Sequence, residues 1–189
     1  MRARAARTRA ADARLRAQVE LLRSKSDALR CVRAAVQQAP VSDREYLATQ
    51  PDTPARLEAA LRLVAAGDGG ALLPLAHDGD TPVSAARFVS LAALGGADDM
   101  FSSDLDVAAL RAALGHIAVP VLLLPSLADE YVPSSVDVPA LMERMRAAMP
   151  AAPHVEVCAL AGAPHAPADE AHVQALVAAV AALLRHLDA

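Results

Sequence analysis

Two titratable residues stand where long apolar runs stop. Asp129 follows "VPVLLLPS", residues 119–126, and His165 follows "HVEVCAL", residues 154–160. Imidazole is the base that can take a hydroxyl proton near neutral pH. A carboxylate on its other nitrogen fixes the tautomer and stabilises the imidazolium that forms. The pair therefore suits activation of a hydroxyl nucleophile. The ordinary alternative for Asp129 is a loop acid capping the turn in "DEYVP". For His165 it is a satisfied core histidine, which a position between prolines in a loop argues against. Asp43 is the alternative acid, since an acid after the preceding apolar run, "VRAAVQQAP", can also reach the histidine. Its plain role would be a turn residue pairing Arg44. Ser42 and Ser126 are loop serines without flanking glycines, so neither is a convincing nucleophile.

Other chemistry finds less support. "AHDGDTP" gathers His77, Asp78 and Asp80, residue types that suit an ion, yet glycine and alternating acids also make an ordinary solvated turn. His154, His165 and His172 lack the i, i+4 pairing of a zinc hydrolase helix. No metal and no cofactor is expected. Cys31 and Cys158 sit singly, without metal or redox spacing, and read as buried thiols in a reducing compartment, so the cytoplasm is the expected location. The first ten residues, "MRARAARTRA", carry the arginine and alanine bias of an organellar transit peptide but no serine; a solvated helix start is the plainer reading.

These groups need a scaffold, and 189 residues with 54% hydrophobic content can supply one substantial core. A net charge of −4 gives no reason to expect nucleic acid as a partner. The longest strongly apolar stretch, residues 173–184, is too short for a bilayer and keeps helical polar spacing, so no membrane partner is expected either. Leu15, Val19 and Leu22 share a helical face before a strand within residues 32–40. Thr53 with Pro54, closed by Gly67, and Thr81 with Pro82, closed by Gly95, punctuate two helices. The acidic stretch "GGADDM" with "SSDLD" reads as a polar loop followed by a helix cap. Residues 119–126 and 154–160 read as central parallel strands. Between them Asp137 caps a helix carrying Leu141, Met142, Met145 and Met149. A last amphipathic helix carries Val173, Leu176, Val177, Val180, Leu184 and Leu187.

Strands alternating with helices imply a parallel α/β sheet with its chemistry at the carboxyl ends of the strands. There the chain offers three loops: "VSDRE", "LADEYVP" and "AGAPHAP". An acid after one strand and a histidine after the next is the order that ends an α/β-hydrolase. The stretches "QAPVSDRE", "RFVSLAALGGADDMFSSDL", "ADEYVP" and "GAPHAP" together resemble the α/β-hydrolase-like family that includes fungal siderophore (fusarinine-type) ester hydrolases. The resemblance runs from residue 34 to 187. It implies Asp129 as triad acid, His165 as triad base, "SDRE" as the loop into a cap insertion at about 51–115, and a small-molecule ester as substrate of a complete form. The resulting organisation is a basic helical segment, 1–31, followed by a partial α/β-hydrolase domain, 32–189, with a short parallel sheet of about three strands flanked by helices.

The sequence departs from that family at the nucleophile. A nucleophile elbow needs small residues around its serine, because only they allow the strained strand-to-helix turn. The first glycine is Gly67, and the upstream serines Ser24 and Ser26 lie in the charged context "RSKSD". The second oxyanion donor would lie further upstream still. The 189 residues are therefore expected to be inactive alone. The alternative is a non-catalytic remnant or interaction protein, dimerising through an open sheet edge.

Overall fold

The computed structural model describes residues 32–75 and 81–187. Contacts divide the chain between residues 35 and 36, and the description below concerns the part that follows, together with the start of its first strand. The expected N-terminal helix, Cys31, and the His77, Asp78, Asp80 turn lie outside the described residues.

The described elements are β1 (Ala35–Gln38), α1 (Asp43–Ala48), α2 (Thr53–Ala65), α3 (Ala85–Ala92), α4 (Val107–Leu114), β2 (Val121–Leu124), α5 (Val138–Ala147), β3 (Val155–Val157) and α6 (Glu170–Leu187). They form an α/β structure with an open parallel sheet of order β1-β2-β3. Val121, Leu122 and Leu123 pair in register with Val155, Glu156 and Val157. All four residues of β2 are fully buried, as a strand covered on both faces must be. β3 corrects the expectation of two central strands. Among the described residues it lies at the edge, and its three residues are only half-buried.

Around β2 the core draws Leu141, Met142 and Met145 from α5, Leu110 and Leu114 from α4, and Leu183 from α6. The methionine stripe is thus packing material, suited by its flexible thioethers to irregular gaps. The expected apolar face of α6 needs correction in part. Val173, Leu176, Val180 and Leu187 are half-buried, but Val177 and Leu184 are exposed, and Ala179 with Leu183 supplies the buried residues.

A second, smaller core holds α2 and α3 together through Ala60, Leu73, Ala85, Phe88 and Ala92, with Leu47 of α1 packed against it. Asp52 rather than Thr53 stands at the N-cap of α2, and Gly67, at φ +82°, takes the left-handed turn after its last carbonyls. α3 starts later than its Thr81 and Pro82 punctuation implies. Leu72 bridges Ser84 in antiparallel fashion and the Leu73 N–H donates to the Val83 carbonyl, so residues 81–83 are held extended and Ser84 becomes the cap. Asp106 caps α4, accepting from the Ala109 N–H at 2.7 Å, and Asp137 caps α5, accepting from the Ala140 N–H at 3.0 Å. No helix among the described residues is long and apolar enough to cross a membrane.

Candidate active site

The parallel sheet delivers its chemistry at one end. Beyond β2 the chain continues in register with its neighbour, Ser126 bridging Leu160, before both strands break into loops. The Ala128 N–H donates to the Ala163 carbonyl, which ties the two loops together and sets Asp129 opposite His165. The Asp129 side chain is 1% exposed and that of His165 is 35% exposed. Asp129 Oδ2 lies 2.9 Å from His165 Nδ1, and Asp129 Oδ1 accepts from the Tyr131 N–H at 2.9 Å. Both carboxylate oxygens are therefore occupied, and the histidine keeps its Nε2 for other chemistry.

His165 is held at four points. Its N–H donates to Glu130 at 3.0 Å, and its carbonyl accepts from Gln38 Nε2 at 2.8 Å. Its ring meets the Tyr131 ring edge-on, with centroids 4.9 Å apart. Tyr131 meets Tyr46 in the same way at 5.0 Å. Three consecutive residues, 129–131, thus each grip the histidine by a different means. The backbone N–H of His165 is the main influence holding the Glu130 carboxyl below its ordinary pKa, with Glu130's own N–H adding to it. Glu130 and Gln38 escaped sequence reasoning. "DEY" carried a signal only as an acid pair on the loop, and nothing in the sequence joins Gln38 to a residue 127 positions away.

Asp43 lines the same cavity as His165, together with Val41, Tyr46 and Tyr131, in a space of about 200 Å³. It makes no hydrogen bond to the histidine, and it does not pair Arg44. That guanidinium donates to Asp99 at 2.8 Å and to Asp104, which corrects the expected Asp43–Arg44 turn pair. Asp104 is the chief reason the Arg44 guanidinium titrates above its ordinary range. Burial would raise the Asp99 carboxyl, but the Ser102 hydroxyl, the Gly95 N–H and Arg44 outweigh it and hold it low.

The loop "VSDRE" contains a helix. Ser42 caps α1 by accepting from the Glu45 N–H at 3.0 Å, the Ser-x-x-Glu signature of a helix start, which was visible in the sequence. Glu45 does not reach back to complete the box. It accepts instead from the Ser103 N–H at 3.0 Å and the Ser103 hydroxyl at 2.6 Å. Ser42 Oγ also meets Ser102 Oγ at 2.5 Å, and Ser102 donates to Asp99. Gly96 is required in this loop, because a Cβ there would lie 2.3 Å from the Ser90 carbonyl oxygen. Ser42 is thus a buried structural hydroxyl. Ser126 is 3% exposed with an unpartnered hydroxyl, too enclosed to attack a substrate. Among the described residues no group of three or more His, Cys, Asp or Glu side chains could hold a metal ion.

A family described as protein of unknown function (DUF1749) matches residues 18–187. The chain belongs to this family. The siderophore hydrolase EstB from Aspergillus fumigatus has a solved structure with 28% sequence identity and a TM-score of 0.66. The match covers 82% of this chain and 58% of the fungal protein, so the chain spans little more than half the length of that relative. A second solved structure, an alpha/beta hydrolase fold protein of unknown function, is 21% identical with a TM-score of 0.47, covering 81% of this chain and 53% of its own. Among curated proteins none matches the sequence. The fold is that of an α/β-hydrolase, and a siderophore hydrolase is a structural relative.

Proposed function

We propose that this chain carries the acid and base of a serine-esterase site, with Asp129 the acid and His165 the general base. The observation that carries the reading is the 2.9 Å contact between Asp129 Oδ2 and His165 Nδ1 beside an open cavity of about 200 Å³. With Nδ1–H directed at a buried carboxylate, Nε2 is the nitrogen that takes the proton of an attacking hydroxyl and later returns it to the leaving group. Likeness to a siderophore hydrolase supports an ester of the siderophore type as substrate. The sequence holds no elbow serine, and the oxyanion N–H that follows such a serine goes with it. The 189 residues alone are therefore inactive, and the pair acts once a nucleophile strand is supplied.

The test is a hybrid in which residues 36–187 replace the matching region of the fungal hydrolase. It should hydrolyse siderophore-type esters, and His165→Ala should reduce kcat by about 10³-fold or more. A folded hybrid whose activity is indifferent to His165→Ala would overturn the assignment.

A further inference from the structure

Arg56 has more hydrogen-bonding capacity than its surroundings use. It lies in the first turn of α2, its guanidinium 4.8 Å over the Phe88 ring. Nη1 reaches Asp52 only at 3.4 Å and Nη2 reaches the Pro74 carbonyl only at 3.5 Å, both at the far end of hydrogen-bonding range. Nε is buried with no partner at all. A guanidinium has five N–H donors and no acceptor, and with 21% of the Arg56 side chain exposed its Nη donors stay within reach of an acceptor in an adjoining cavity. Such a group calls for an acceptor that binds from outside.

Two cavities border it. One, of about 350 Å³, is also lined by Asp52, a carboxylate that would repel an anion. The other, of about 420 Å³, lies between α1, α2 and α3. Arg56, Arg87 and Thr81 are its polar groups among the described residues, and no acid among those residues lines it. Arg87 pairs closely with Asp98, whereas Arg56 holds Asp52 only at 3.4 Å and leaves its Nε without a partner, so Arg56 is the cation with donors to spare. The remaining wall is apolar, including Leu47, Val83, Phe88 and Leu91. Its size falls within the range of small-molecule pockets, and its wall is mostly apolar with few polar groups.

We propose that this cavity binds an aliphatic carboxylate, its head on the Arg56 guanidinium and its chain against Leu47, Val83 and Leu91. The planar fork of arginine matches two carboxylate oxygens, while the apolar wall offers nothing to the hydration shell of a small, chainless anion. The site is separate from the His165 cavity, although α1 borders both, through Leu47 here and Tyr46 there. The proposal does not depend on ester hydrolysis.

The test is calorimetric titration of the full chain with octanoate, and with octan-1-ol as the uncharged control. Octanoate should bind saturably, and octan-1-ol at least tenfold more weakly. Arg56→Met keeps most of the stem over Phe88 but removes every donor, and should weaken octanoate at least tenfold. Since loss of the charge could also disturb α2, Leu91→Trp provides a second variant that fills the cavity and leaves Arg56 untouched; it should abolish binding with the circular dichroism spectrum unchanged. Absence of saturable octanoate binding by the folded protein, equal binding of octan-1-ol, or binding unaffected by both variants would overturn the site.

Discussion

Asp129 and His165 illustrate how much a single carboxylate can be asked to do. One oxygen accepts from the Tyr131 N–H and the other faces the histidine, so an amide in its place must turn its NH₂ toward a donor. Asp129→Asn should therefore lower stability by about 1–3 kcal/mol, measured as a fall in the urea midpoint at constant m-value. Glu130 acts by a different route, on the histidine backbone. Its folded-state pKa lies below the unfolded one, so its contribution is present above the ordinary carboxylate range and is lost as pH falls through the lowered value. The His165 amide resonance should follow that acid titration, and Glu130→Gln should remove it. A His165 amide shift that still titrates in Glu130→Gln would assign the effect to another group. That Asp129 and His165 would meet was legible in the sequence because each follows an apolar run. Gln38 was not, because side-chain to backbone bonds across a sheet leave no periodic trace.

At the scale of elements, α1 is fixed less by its own six residues than by the acidic loop it meets. Arg44, Ser42 and Glu45 all bond into residues 99–104, and Arg144 of α5 reaches the Ser103 and Leu105 carbonyls from the other side. The stretches "SDRE" and "GGADDMFSSDL" look like unrelated polar loops in the sequence, yet they are two halves of one polar network. Asp99 is its centre, with a fully inaccessible side chain. Asp99→Ala should cost about 1–3 kcal/mol, because the Ser102 hydroxyl and the Gly95 N–H lose their acceptor while Arg44 keeps Asp104. Hydrogen exchange should show the largest loss of protection in residues 95–105. Protection lost uniformly across the chain would contradict a local anchor. The late start of α3 belongs to this scale too. Thr81 and Pro82 are good cap residues, but pairing of Leu73 with Val83 outcompetes a local preference of roughly 1 kcal/mol.

For the whole molecule, alternation of strand and helix was enough to imply a parallel sheet, and β2 was unmistakable as a continuous apolar run. The edge position of β3 was not legible, since a short half-buried strand and a central one can share the same residues. The sheet's order also places β1 on the outside among the described residues. In the proposed reading a nucleophile strand would join at that edge. The chain alone should then hydrolyse no 4-nitrophenyl esters above the rate of His165→Ala. A fluorophosphonate probe should label no serine stoichiometrically; labelling at one site would reveal a nucleophile within these 189 residues.

The ring contacts around His165 have an optical consequence. The protein has two tyrosines and no tryptophan, and both tyrosines lie in the cavity beside the histidine. Its near-ultraviolet tyrosine signal is therefore a signal from that cavity alone. A ligand arriving there, or a change in the histidine's charge, should alter emission and near-ultraviolet dichroism directly. Events on α2 and α3 should reach those rings only through α1, so the molecule carries a built-in, label-free reporter of one site.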